Sequence, residues 1–143
     1  YRERFSTIGL YENELYPQVH DTLAALVERG YNLYLATAKP EVFAVRILQH
    51  FELIDYFTKP YGSELTGERT NKGDLIQYIL QQEQLPPESC MMVGDREYDI
   101  LGARRNGIDT IAVEYGYGTM QELTQAAPKL KIQQFAELLN YFN

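Results

Sequence analysis

Apolar residues along the chain switch repeatedly between helical spacing and short continuous runs. Val19, Leu23, Leu26 and Val27 recur at helical intervals after Pro17, and Gly30 supplies a C-terminal stop. Tyr31 to Ala36 then reads as a strand leading into Thr37-Ala38-Lys39-Pro40, with Pro40 suited to open the next helix. Val42, Val45 and Leu48 form the expected buried side of that helix. A second short strand is expected near Tyr56 to Tyr61, followed by a polar loop from Gly62 to Thr70. Lys72 opens a helix with Leu75, Ile76, Ile79 and Leu80 inward, ending before Pro86-Pro87.

Cys90 to Val93 is apolar enough for a strand buried on both faces, and Gly94 stops it. Ile100 and Ala103 continue a helix that Asn106-Gly107 closes, and the run from Ile108 to Val113 is a further buried strand. Tyr115-Gly116-Tyr117-Gly118 makes a loop, Thr119-Met120-Gln121-Glu122 has the capping-box pattern, and a last helix is expected over Ile132 to Tyr141 with Phe135, Leu138 and Leu139 inward. Residues 1 to 14 are polar and aromatic without a clear period and read as the tail of another element. Strand and helix alternate, so the expected fold is α/β: a doubly wound, Rossmann-like parallel sheet with helices on both faces. Ligands of such sheets bind at the carboxyl ends of the strands.

Composition narrows the partners. With 143 residues, 45% of them apolar, the chain fits one globular domain. A net charge of -7, from 13 basic against 20 acidic residues, argues against nucleic acid. No run is long and apolar enough to cross a membrane, so no membrane partner is expected. The lone Cys90 sits among apolar residues and is expected to be a buried, inert thiol, in keeping with a reducing cytoplasm. His20 and His50 lack companions at metal-ligand spacing. The start at Tyr1, without a methionine or leader pattern, gives the expectation of a segment upstream.

Candidate chemistry centres on Val93-Gly94-Asp95-Arg96-Glu97-Tyr98-Asp99. A carboxylate buried at the end of a sheet strand needs a partner of opposite charge, most simply a hard divalent cation held by oxygen ligands. Asp95 and Asp99, four residues apart, can face one ion, or can equally serve a helix N-terminus, where acidic groups are favoured. Thr37 and Ala38 follow another strand and Lys72 opens a helix, so the topology can bring all of them to one sheet edge. A hydroxyl, backbone N–H groups, an amine and carboxylates are what a phosphoryl group needs for binding and charge neutralisation.

In that order, LYLATAKP with Thr37, TNKGDLI with Lys72 and VGDREYD with Asp95 and Asp99 resemble the second, third and fourth motifs of the haloacid dehalogenase-like superfamily, most closely its phosphoglycolate phosphatase-like branch. The resemblance runs from about Leu15 to the end and includes the GYG stretch. It implies a Mg²⁺-dependent phosphatase acting on a small phosphorylated metabolite through an aspartyl-phosphate. Thr37 and Ala38 would bind the phosphoryl group, Lys72 would neutralise it, and Asp95 would bind Mg²⁺ with support from Asp99. A phosphomutase or nucleotidase of the same superfamily, or a binding remnant without catalysis, are the alternatives.

The family's first motif, a strand followed by DxD that supplies the nucleophile, is absent from residues 1–143. Asp21, Asp55 and Asp74 are not convincing substitutes for it. The resemblance therefore implies that residues 1–14 end a helical cap domain, that residues 15–143 form the C-terminal portion of the α/β core, and that the core lacks its first central strand.

Overall fold

The computed structural model of the protein describes residues 2–6, 18–64, 71–114 and 119–142. Its strands are β1 (Arg2–Ser6), β2 (Tyr31–Pro40), β3 (Lys59–Ser63), β4 (Met91–Gly94), β5 (Asp109–Val113) and β6 (Leu130–Ile132). Its helices are α1 (Val19–Glu28), α2 (Glu41–His50), α3 (Lys72–Glu83), α4 (Glu97–Arg105), α5 (Met120–Ala126) and α6 (Leu138–Tyr141). All strand pairs are parallel, and the order across the sheet is β3-β2-β1-β4-β5-β6. This is the expected doubly wound arrangement, whose direction of winding reverses at β1.

Side chains of successive strand residues point to opposite faces, and each face carries its own core. Leu33 and Leu35 of β2, with Met91 and Val93 of β4, pack with Leu23 and Leu26 of α1 and Leu48 of α2. Tyr34, Ala36 and Met92 face the other way, onto Leu75, Ile76 and Ile79 of α3 and Ala103 of α4. Cys90 is buried in this second cluster, as its apolar neighbours imply. A smaller cluster joins Ile100 and Ala112 to Leu123 and Ala126 of α5.

The central position, expected to be empty, is filled. β1 lies between β2 and β4, pairing Arg2 with Tyr31 through Ser6 with Leu35 on one side, and Phe5 with Met92 and Ser6 with Val93 on the other. Residues 2–6, assigned by the resemblance to the end of a cap, are thus part of the sheet. Ladder bonds are made by backbone groups of any sequence, and two facing strand edges in the middle of a sheet favour any extended segment that reaches them. Arg2-Glu3-Arg4 lacks the near-continuous apolar run of a central parallel strand, so the pattern does not predict it.

Three further expectations need correction. Val42 is 48% exposed, and α2 buries Ala44 and Leu48 instead. The stretch read as a strand from Tyr56 begins with a 3-10 turn over Ile54–Tyr56, and the strand itself runs later, over Lys59–Ser63. The last helix is shorter than expected: Leu130–Ile132 is strand β6, paired with β5, and only then do a 3-10 turn over Phe135–Glu137 and α6 follow. The backbone N–H groups of Gln133 and Gln134 donate to the Glu137 carboxylate at 2.8 and 2.6 Å, which fixes the new helical start beyond the strand. The GYG loop and residues 65–70 of the polar loop lie outside the described residues. Among the described residues no helix is long and apolar enough to cross a membrane.

The burial pattern of α2 yields a direct check. Leu48→Ala should cost about 2–5 kcal/mol, whereas Val42→Ala should stay within about 0.5 kcal/mol. Urea denaturation of the two variants measures both, and equal losses would contradict the inward face assigned to this helix.

Candidate active site

β2 and β4 end side by side with β1 at the carboxyl edge of the sheet, where α3 and α4 also begin. A cavity of about 680 Å³ opens there, lined by residues that include Thr37, Ala38, Lys72, Asp95 and Asp99. All five residues singled out in the sequence therefore meet in one place.

Each is held by local structure. Thr37 ends the buried part of β2, and its Oγ1 accepts the backbone N–H of Lys39 at 3.2 Å, which tightens the chain before α2. Asn71 caps α3 by accepting the Asp74 N–H at 3.1 Å, so Lys72 is fixed as the first helical residue. The Lys72 ammonium donates to the carbonyl of Ala36 at 3.0 Å and pairs with Asp99 Oδ1 at 2.8 Å. Their side chains are only 9% and 3% exposed.

Asp99 is occupied on both oxygens. Its Oδ2 accepts the backbone N–H groups of Asp95 at 3.0 Å and Arg96 at 3.2 Å, the reciprocal bond of a helix start. Of the two roles open to Asp99, the structure shows service to the helix N-terminus and to Lys72. Asp95 is 5% exposed on the cavity wall. Mg²⁺ is commonly bound through one or two carboxylates, with water and phosphate oxygens completing its shell. Asp95 fits that donor set, with Asp99 behind it as a support. Among the described residues no group of three or more His, Cys, Asp or Glu gathers for a metal.

Two glycine contacts make this geometry possible. A Cβ on Gly94 would lie 2.6 Å from Asp99 Cγ, so the carboxylate can fold over the strand end only where no side chain stands. A Cβ on Gly102 would lie 2.9 Å from the backbone nitrogen of Gly73, so α3 and α4 approach backbone to backbone beside Lys72. Asn106 stitches the same crossing by donating to the carbonyls of Gly73 and Gly102 at 3.0 and 2.9 Å.

Sequence reasoning missed Glu122. Its Oε2 accepts Arg96 Nε at 3.1 Å and the Glu97 N–H at 2.8 Å, anchoring the start of α4 to α5. Arg96 is partly buried and also lies over the Tyr98 ring at 5.0 Å. The capping pattern of Thr119 and Glu122 is present as expected, but nothing in it signals a partner some 25 residues earlier. Asp21 and Asp55 are exposed and do not line the cavity, and Asp74 pairs with Arg105 at the surface.

The Glu97 N–H, and after it the Arg96 guanidinium, hold the Glu122 carboxyl below the usual range. A depressed carboxylate contributes stability above its unfolded pKa that is lost as pH falls through the folded value. Exchange of the Glu97 amide should therefore accelerate as pH drops below about 4.5, beyond the intrinsic pH trend, and Glu122→Gln should abolish that extra step. Hydrogen exchange followed by mass spectrometry across this range measures it.

Comparison with known proteins agrees with this geometry. Over 128 residues the chain is 50% identical to a 5'-nucleotidase of Pseudomonas aeruginosa, covering 90% of this chain and 58% of that protein. It is 31% identical to a phosphoglycolate phosphatase of Vibrio vulnificus, covering 90% of this chain and 56% of the relative. A crystal structure of a predicted phosphatase from Clostridium acetobutylicum superposes with a TM-score of 0.87 at 36% identity, over 90% of this chain and 59% of that one. The chain thus spans a little over half the length of these relatives. The haloacid dehalogenase-like hydrolase profile matches residues 1–113, and the chain belongs to that family.

Proposed function

We propose that the whole protein is a Mg²⁺-dependent phosphatase that hydrolyses a small phosphate monoester of the phosphoglycolate type. The observation that carries this reading is the convergence of Thr37, Lys72 and Asp95 on one cavity at the carboxyl edge of the sheet. The Thr37 hydroxyl and the Ala38 N–H bind the phosphoryl oxygens. Lys72 directs its ammonium to the same group, so that negative charge gathering on the oxygens is met by a cation already in place. Asp99 holds Lys72 and the Asp95–Arg96 turn in register and acts through them. Asp95 would hold Mg²⁺ directly or through water. When bound, the ion adds positive charge to the oxygens of the transferring group.

In this mechanism an aspartate attacks phosphorus, the bond to the leaving oxygen breaks, and water then hydrolyses the aspartyl-phosphate. The motif that supplies this aspartate in the resembling family is absent from residues 1–143, so this reading assigns the nucleophile to another segment of the whole protein. Attack on a phosphoryl group bound in the cavity then requires that segment at the same sheet edge. A nucleotide substrate is the second reading, favoured by the 50% identity to a protein named as a 5'-nucleotidase.

Steady-state assays of the full-length protein test both readings. Turnover of phosphoglycolate should need Mg²⁺. Asp95→Asn should raise the Mg²⁺ concentration for half-maximal rate at least about tenfold, and Lys72→Met should lower kcat by about 10²–10³-fold. Unchanged Mg²⁺ dependence in Asp95→Asn would remove the metal assignment, and faster hydrolysis of nucleoside monophosphates would favour the second reading. A protein of residues 1–143 alone should give no turnover above background; Mg²⁺-dependent activity abolished by Asp95→Ala would refute the assignment of the nucleophile to another segment.

A further inference from the structure

We propose that Glu122, from α5, is a positioning residue for the metal ligand Asp95, an inference that rests on the Mg²⁺ reading of the cavity. β4 and α4 are joined by a turn of only two residues, Asp95 and Arg96, and the first backbone N–H groups of a helix find no partner within it. Asp99 takes the N–H groups of Asp95 and Arg96. The next one, on Glu97, goes to Glu122 Oε2 at 2.8 Å, and the same oxygen accepts Arg96 Nε at 3.1 Å. Three consecutive amides are thus held by two carboxylates, one belonging to α4 and one reaching in from another helix.

Bond lengths at Glu122 point past a capping role. A glutamate at the third position of a capping box ordinarily spends its carboxylate on the N-cap N–H. Here the bond from the Thr119 N–H to Glu122 Oε1 is 3.4 Å, beyond the usual range of about 2.7–3.2 Å, whereas the bond from Glu97 is 2.8 Å. The stronger hold is therefore on α4. Glu122 itself is fixed, since its own N–H donates to Thr119 Oγ1 at 3.0 Å and the next residue, Leu123, is buried against Ile100. Its side chain is 17% exposed, so water competes little for these bonds.

α5 is fastened to α4 a second time, at its far end, where Arg104 donates to the carbonyls of Ala126 and, at 2.8 Å, Ala127. Arg104 lies beside Asp109, the first residue of β5, at the opposite edge of the sheet from Asp95, which follows the last residue of β4. The two fastenings separate two roles. Losing either one loosens α5, but only the loss of Glu122 frees the turn that carries Asp95. Outer partners that keep a metal ligand in its direction are characteristically worth about 10–100-fold in metal affinity. Glu122 acts through the backbone rather than on the Asp95 carboxylate, so its effect falls at the lower end.

Titration of the full-length protein with Mn²⁺, followed by the paramagnetic resonance signal of the free ion, tests this without turnover. Asp95→Asn should weaken binding at least about tenfold and so identify the site. Glu122→Ala should weaken it about tenfold, while Glu122→Gln, which keeps an oxygen for the Glu97 N–H, should stay within about threefold of the wild type. Glu122→Asp can still cap Thr119 but is too short to hold Glu97; it should behave as the alanine variant does, and it carries the test if that variant does not fold. Arg104→Ala should lower the urea midpoint as Glu122→Ala does, yet leave Mn²⁺ affinity within about twofold. Wild-type affinity in Glu122→Ala and Glu122→Asp, or an equal loss in Arg104→Ala, would overturn the assignment and leave the metal reading standing. A wild type that does not bind Mn²⁺, or an Asp95→Asn variant that binds as the wild type does, would remove the metal reading and the role of Glu122 with it.

Discussion

The buried pair between Lys72 and Asp99 is the constraint from which the rest of the site follows. Each charge loses most of its hydration, and the loss is offset only if every remaining donor and acceptor is satisfied. Lys72 meets the Ala36 carbonyl as well as Asp99, and Asp99 accepts two backbone N–H groups with its second oxygen. Removing one partner from such a pair characteristically costs about 3–5 kcal/mol because the other charge is left buried without compensation. The three elements that carry the chemistry, the end of β2, the start of α3 and the start of α4, are therefore tied together by one amine.

That pairing imposes demands on positions with no chemistry of their own. Lys72 reaches Asp99 because α3 and α4 cross with Gly73 against Gly102, and Asp99 reaches its amides because Gly94 leaves room above the strand. A methyl group at either place would push a helix or a carboxylate outward by more than a hydrogen bond tolerates. The glycines are there for close approach, as both have ordinary negative φ. The opposite face of the sheet has no such requirement. There Leu23, Leu26, Leu33, Leu35 and Leu48 make an apolar core in which shape and volume matter more than any single contact.

What the sequence made legible follows the same division. Alternating strand and helix periods disclosed the parallel sheet, and the position of Thr37, Lys72 and Asp95 immediately beyond apolar runs placed them at its carboxyl edge. Those signals are local, and they survive without knowledge of neighbours. The partner of Asp99 could not be read, because a carboxylate four residues after another suits a metal or a helix start equally well; a lysine 27 residues earlier decides it. Glu122 was hidden for the same reason, its local role as a capping residue being complete without Arg96. Val42 misled because Val42, Phe43, Ala44, Val45 and Ile47 crowd the first two turns of α2 and allow more than one inward face.

β1 illustrates a different limit. A strand in the middle of a parallel sheet is normally recognised by its apolar run, since both its faces are covered. Arg2 to Ser6 carries three charged residues, yet its backbone completes the ladder between two strands whose own runs are apolar. This pairing leaves β4 with only two residues in register with β1 against five for β2. The junction between β1 and β4 is thus the least extensive pairing in the centre of the sheet, and it lies where the winding direction reverses and ligands of such folds bind. Precision at Asp95 must come from elsewhere. It comes from β5, paired with all four residues of β4, and from the Asp99 carboxylate that grips the turn beyond it.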